Sequence, residues 1–225
     1  MRGIGGLYFK ECLPTSFYFC KMNEILSEHT RNILGLRLPT DPRWVNLAEI
    51  QVDEILTDHA WCEQKAALTC ISLIQKNFDK ELLVEELSAV VTEEWGHFRM
   101  VLAELRKRNL SLGKPRKDIY VNSLISFQKK DGSPEERFLD NMLLMALIEA
   151  RSCERFKRLS EGMEDEHMRK FYRIFMESEA GHYTLFITLA EHHLDKVVVR
   201  KRWAEWLLFE KVLMESEEVR GDRIH

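Results

Sequence analysis

The sequence predicts an all-α protein: a bundle of four long helices with one long crossover and an additional helix after the bundle. Three observations predict it. Apolar residues recur at i, i+3, i+4 and i+7 through four long stretches, the spacing of one buried helix face. The ten Gly and five Pro fall mostly outside those stretches, where they punctuate turns. Hydrophobic residues make up 45% and charged residues 31% of the 225, which supports one packed core of ordinary size and not a disordered chain.

Each element has its own marker. Thr40-Asp41-Pro42 reads as a cap followed by Pro at the first helical position, opening a long helix to about Lys76. Asn77-Phe78-Asp79 is a short turn, and a second helix runs from about Lys80 to Asn109. Gly113 and Pro115 break the chain there, and a shorter helix covers about Asp118 to Gln128. After the Asp131-Gly132 turn, Ser133-Pro134-Glu135-Glu136 has capping-box spacing and opens a third long helix to about Ser160. Gly162 sits in a turn, and a fourth helix runs from about Glu164 to His193. A last helix, about Lys196 to Glu218, carries Trp203, Trp206, Leu207 and Val212 and packs outside the bundle. Two long hairpins are thus joined by a connection of roughly 24 residues, Leu110 to Ser133, which is ferritin-like connectivity.

Composition excludes several classes. The net charge of −4 does not by itself point to nucleic acid. The five Cys (12, 20, 62, 70 and 153) form no C-x-x-C pair, so neither a disulfide framework nor a zinc knuckle is expected. A reducing, cytoplasmic setting fits. No run of about 18 apolar residues exists, so no membrane span is expected. The segment from Met1 to Lys21 lacks the continuous apolar core of a signal peptide, and Met22 is an alternative start.

The chemistry lies where charged residues interrupt the buried stripes. On the second helix the stripe reads Leu83, Leu87, Val90, Glu94, His97, Val101, Leu105. On the fourth it reads Met168, Phe171 or Tyr172, Phe175, Glu179, His182, Phe186, Leu189. Glu63 interrupts the first helix between His59 and Cys70, and Glu149 the third between Met145 and Phe156. Four carboxylates and two imidazoles therefore point into the core. Burying an unpaired carboxylate costs several kcal/mol, by order of magnitude, unless a cation compensates it. Four Glu match the charge of two divalent ions, and a carboxylate–imidazole set without Cys suits iron or manganese.

Distances from the turns test this independently. Glu63 lies 14 residues before Asn77 and Glu94 lies 15 after Asp79. Glu149 lies 13 before Gly162 and Glu179 lies 17 after it. At about 1.5 Å per residue all four come to one level, within a turn of helix. Glu154 competes with Glu149, since Cys153-Glu154 echoes Cys62-Glu63. It stands about 140° around the helix and about 7.5 Å nearer the turn, so it is not expected to be a ligand. Glu154, His59 and Glu93 remain candidates for orienting the ligands from behind. One E-x-x-H on a helix is a weak signal, because a surface Glu beside a His gives the same string. Two such motifs, each on a buried stripe and each preceded some 30 residues earlier by a core Glu, are a strong one.

At these residues the chain resembles a known family. Leu56-Thr-Asp-His-Ala-Trp-Cys-Glu-Gln-Lys-Ala-Ala67, Glu93-Glu-Trp-Gly-His-Phe98, Ala146-Leu-Ile-Glu-Ala-Arg-Ser-Cys-Glu-Arg-Phe156 and Ser178-Glu-Ala-Gly-His-Tyr183 look like the tRNA 2-methylthio-isopentenyladenosine hydroxylases. The similarity covers roughly residues 36–218, and the third string is the most distinctive. The resemblance implies a non-haem di-iron monooxygenase using dioxygen and an external electron donor, a reductase or ferredoxin-like protein. Its substrate would be the modified adenosine beside the anticodon of tRNA, hydroxylated on the isopentenyl group. By carry-over, Glu63, Glu94, His97, Glu149, Glu179 and His182 would be the iron ligands. On this reading residues 1–35 are an N-terminal extension, partly disordered, and residues 36–225 the ferritin-like di-iron domain.

A local basic cluster offers a route to the tRNA anticodon loop. Arg106, Lys107, Arg108, Lys114, Arg116 and Lys117 fall within twelve residues that hold no acid, and such clusters neutralise phosphates. The competing reading is a solvated helix end, where basic residues favour the C-terminal dipole. Two other functions remain open: a ferritin-like iron-storage or peroxide-scavenging protein with the same ligands, and a metal-free helical interaction module using Trp203, Trp206 and the basic crossover.

Overall fold

A computed structural model gives the fold and describes residues 33–225. The expected N-terminal extension therefore lies almost wholly outside the described residues. The helices are α1 (Trp44–Ile50), α2 (Val52–Lys76), α3 (Glu81–Lys107), α4 (Ile119–Phe127), α5 (Pro134–Gly162), α6 (Glu166–His193) and α7 (Lys196–Ser216). α2 packs along α3 and α5 along α6, giving the two expected hairpins. α4 lies within the crossover that joins them.

Local chemistry sets most boundaries. Ser133 and Glu136 close the capping box at the start of α5, with Pro134 in the first turn. Asp118, Asp165 and Asp195 cap α4, α6 and α7 by accepting from backbone N–H groups. The start of the first long helix departs from expectation. Thr40 is drawn inward, where its N–H and hydroxyl both donate to the Glu154 carboxylate. Asp41 accepts from the Arg43 N–H at 2.8 Å instead of capping a helix at Pro42. The helix then begins at Trp44 and is interrupted at Gln51 (φ −115°, ψ 36°), whose N–H bonds Ala48 O at 3.1 Å. This break lets α1 bend over the end of the bundle and bury Trp44 beneath Arg155, 5.0 Å from its ring. Gly162 is the last residue of α5 and packs against Val45, not a free turn position.

α7 covers the outside of α5. Trp203, Trp206 and Leu207 are buried, while Val212 is 57% exposed. Asp140 anchors this layer, accepting from Arg202 Nε at 2.7 Å and Trp206 Nε1 at 3.0 Å. With α7 on one side and the bundle on the other, α5 loses its solvent face. The eight consecutive residues from Glu149 to Phe156 are all buried. Arg151, fully enclosed, bonds Glu210 at 2.8 Å and the Leu38 carbonyl at 2.9 Å. Two apolar clusters fill the bundle. One includes Leu87, Val90, Met142, Ala146 and Trp206, and the other Ile55, Phe98, Val101, Phe156 and Phe175. The charged residues of the stripes lie between them.

Candidate metal centre

All six charged residues that interrupt the stripes are buried, none more than 8% exposed. α2 and α5 bring Glu63 and Glu149, while α3 and α6 bring the Glu94/His97 and Glu179/His182 pairs. Glu and His three apart on a helix share one face, so each pair points inward together. His97 Nδ1 stands 3.5 Å from Glu63 Oε2 and 3.8 Å from Glu94 Oε2. His182 Nδ1 stands 2.7 Å from Glu94 Oε1 and 3.4 Å from Glu179 Oε2.

These side chains form two quartets, each with ligand atoms within 4.8 Å of one another. One is Glu63, Glu94, His97 and Glu179; the other is Glu94, Glu149, Glu179 and His182. Glu94 and Glu179 belong to both. Five atoms of the cluster are buried without a well-aligned hydrogen bond: Glu94 Oε1 and His182 Nδ1, which lie 2.7 Å apart, with His97 Nδ1, Glu149 Oε1 and Glu179 Oε2. Each such atom costs about 1–3 kcal/mol when nothing satisfies it. Carboxylate oxygens and imidazole nitrogens that converge in this way fit a pair of hard or borderline cations.

The electrostatics point the same way. Burial, and then the neighbouring carboxylates, push Glu63 and Glu149 well above the usual carboxyl range. Burial also opposes ionisation of Glu94, but hydrogen bonds with His182, His97 and Glu63 outweigh it and hold that carboxyl down. Burial opposes charging His182, yet its bonds to Glu179, Glu93 and Glu94 raise it well above the ordinary imidazole value. Without cations, then, the cluster holds more negative charge than it can leave ionised.

The three candidate orienting residues fare differently. Glu93 Oε2 takes His182 Nε2 at 2.9 Å, which fixes the ring and aims Nδ1 at the cluster. His59 Nε2 meets Glu63 Oε1 at 2.6 Å, and its ring packs between Phe156 and Phe175 at 4.6 and 4.4 Å. Burial drives its pKa well below the usual value, so the ring that meets Glu63 is neutral. Glu154 bonds Thr40, Arg151 and Arg158 and touches none of the six.

A cavity of about 70 Å³ adjoins the four glutamates. Its walls include Met145, Ile148 and Phe156, and also Cys62, Asp118 and His225. Sequence reasoning missed these last three. Asp118 is visible only as a helix cap, and nothing in the string around His225 signals its place.

The basic cluster is less free than its sequence suggests. Lys107 and Arg108 pair with Glu104 at 3.3 and 3.0 Å, and Arg116 pairs with Glu54 at 2.7 Å and Asp222 at 3.2 Å. A local acid, Glu104, and two distant ones, Glu54 and Asp222, thus occupy half of it. Arg106, Lys114 and Lys117 are exposed. Among the described residues no helix is long and apolar enough to cross a membrane.

Two hairpins, two E-x-x-H pairs and two further core glutamates define the ferritin-like carboxylate class, with clusters able to hold a pair of metal ions. The model of one family, described as tRNA-(MS[2]IO[6]A)-hydroxylase (MiaE), matches residues 26–225. The chain belongs to that family of enzymes. It is 32% identical over 166 residues to the tRNA 2-(methylsulfanyl)-N(6)-isopentenyladenosine(37) hydroxylase of Pseudomonas putida, covering 74% of this chain and 80% of the relative. It is 24% identical over 226 residues to the enzyme of the same description in Salmonella typhimurium, covering 78% and 83%. Among solved structures it is similar to a Synechococcus protein described as having aldehyde deformylating oxygenase activity. That match has a TM-score of 0.79 and 34% identity, over 84% of this chain and 94% of the other.

Proposed function

We propose that Glu63, Glu94, His97, Glu149, Glu179 and His182 hold two iron ions. We further propose that the chain hydroxylates the isopentenyl group of 2-methylthio-isopentenyladenosine beside the anticodon of tRNA. The observation that carries this is the pair of quartets sharing Glu94 and Glu179, with five buried ligand atoms that lack a well-aligned hydrogen bond. Family membership supports the substrate. Bound iron supplies the dioxygen chemistry, with electrons from an external reductase or ferredoxin-like donor. The protein's own part is to hold, orient and exclude water. Glu93 fixes the His182 ring and His59 braces Glu63. Met145, Ile148 and Phe156 give the cavity an apolar wall that suits a prenyl chain. Arg106, Lys114 and Lys117 remain as phosphate contacts, and the setting is cytoplasmic.

The test is nucleoside analysis of tRNA before and after incubation with iron-loaded protein, reductant and dioxygen. The hydroxylated nucleoside is expected from the native chain. Glu94→Ala and His182→Ala are expected to lose both iron and turnover. Either variant keeping full iron and full activity refutes the ligand assignment.

A further inference from the structure

The cavity beside the glutamates is narrow, about 70 Å³, and partly open to solvent, whereas sites that hold an organic ligand measure roughly 300 Å³ or more. It must widen before a substrate side chain reaches the carboxylate cluster. Long helices form most of its wall and also carry the cluster, so they are poorly placed to move. The exceptions are Asp118 and Val121 of the crossover, Asp118 being tied to Lys65 at 2.9 Å, and residues 217–225, which follow α7 without regular structure and place His225 in the cavity wall.

This segment is held by Ile224, fully buried in the second apolar cluster, by His225 stacked on Tyr120 at 5.4 Å, and by a set of polar bonds. Ile224 N–H donates to Asp58 Oδ2 at 2.8 Å and Arg223 to Asp58 Oδ1 at 3.0 Å. Arg155 donates to the Ile224 carbonyl at 2.6 Å, and His225 Nε2 meets Ser152 Oγ at 2.8 Å. Gly221 lies so close to α1 that an added Cβ would stand 2.3 Å from the Leu47 carbonyl carbon and oxygen. The crossover adds one more tie. Arg116 donates to the Asp222 carbonyl at 2.8 Å and to its carboxylate at 3.2 Å.

We propose that residues 217–225 are a strap that narrows the cavity, with Arg116 as its latch. A tRNA backbone phosphate draws Arg116 away from Asp222, the strap lifts, and the cavity opens toward the modified base. The latch rests on the tRNA reading above; the strap does not. Arg116 is suited to this exchange. Its side chain is 25% exposed, so a phosphate can reach it, and guanidinium–phosphate pairs are charge-assisted and bidentate. A free nucleoside carries no phosphate to release the latch. The strap would therefore discriminate tRNA from the isolated nucleoside.

Cys62 reports on the strap, because its Sγ sits 3.8 Å from His225 Nδ1 in the cavity wall. Gly221→Ala cannot seat against Leu47. In the metal-loaded full chain it is expected to raise iodoacetamide labelling of Cys62, mapped by peptide mass, by about tenfold or more, as local opening becomes populated. The KM for free 2-methylthio-isopentenyladenosine is expected to fall by about tenfold, with tRNA turnover within about twofold. A variant with native helicity and metal content in which both quantities are unchanged overturns the strap. If Gly221→Ala does not fold, Asp58→Asn removes the anchor of Arg223 and Ile224 and carries the same expectations. For the latch, bound tRNA lacking the isopentenyl group is expected to speed hydrogen exchange at the Ile224 amide several-fold. Bound tRNA that leaves that exchange unchanged overturns the latch. Failure of the tRNA reading shows differently, as native protein that does not hydroxylate modified tRNA while Cys62 labelling still responds to Gly221→Ala.

Discussion

Glu93→Ala isolates the support behind one proposed ligand. Glu93 is not a member of either quartet, and its side chain is 56% exposed. It touches the site only through its 2.9 Å bond to His182 Nε2. Removing it frees the ring to rotate and removes the charge that makes Nδ1 a stronger donor to a cation. Outer partners of this kind are worth roughly 10–100-fold in metal affinity. Exposure screens the charge, so the lower end applies: about tenfold, or about 1.4 kcal/mol. Chelator competition on the purified protein measures it. Glu93→Gln retains an acceptor oxygen for the ring N–H and is expected to recover part of the loss. Thermal stability should be nearly unchanged in both variants, since the position is half solvated. Native iron affinity in Glu93→Ala would show that the ring is held by packing alone and would refute the role given to Glu93.

Three further outcomes are expected. Adding ferrous iron anaerobically to metal-free protein should raise Tm, by an amount equivalent to about 2.7 kcal/mol at one hundred times Kd, and Glu179→Ala should abolish that rise. Phe175→Ala empties a fully buried position against His59 and His97; denaturant unfolding should register a loss of about 3–5 kcal/mol, and a loss under 1 kcal/mol would contradict the packing described. Asp140→Asn should cost about 1–3 kcal/mol at neutral pH by removing the charge that Arg202 and Trp206 bond, while Glu205 at 2.8 Å and the Phe127 carbonyl at 3.1 Å still hold the guanidinium. Burial opposes the Asp140 charge, but Arg202, the Lys129 N–H and Trp206 outweigh it and lower its pKa. A lowered carboxyl pKa contributes stability that is present above the unfolded value of 3.8 and lost as pH falls through the folded one. The gap between native protein and Asp140→Asn should therefore close in strong acid, which unfolding curves across pH will show.

What the sequence discloses is whatever repeats along a helix. Stripe periodicity and turn distances bring Glu63, Glu94, Glu149 and Glu179 to one level, and in space their oxygens converge. The same arithmetic turns Glu154 aside, and it is found with Thr40 and Arg158. What it conceals is pairing across long separations. Arg116 reads as a free cation until Glu54 and Asp222, 62 and 106 residues away, appear beside it. Thr40 reads as part of a cap because nothing local announces Glu154, 114 residues on. His225 carries no pattern at all, since its place is set by Asp58, Ser152 and Arg155 gripping an irregular segment.

The enclosed middle of α5 bears on tolerance to substitution. A helix usually offers two or three permissive positions per turn, so a mutational scan along it oscillates with a period near 3.6. From Glu149 to Phe156 no position faces water, and the polar ones are each committed to a different neighbour. Glu149 lies in the carboxylate cluster, Arg151 meets Glu210, Ser152 meets His225, Glu154 meets Thr40, and Arg155 meets the Ile224 carbonyl. Across these two turns the oscillation should flatten into a continuous block of intolerance, and for five different physical reasons.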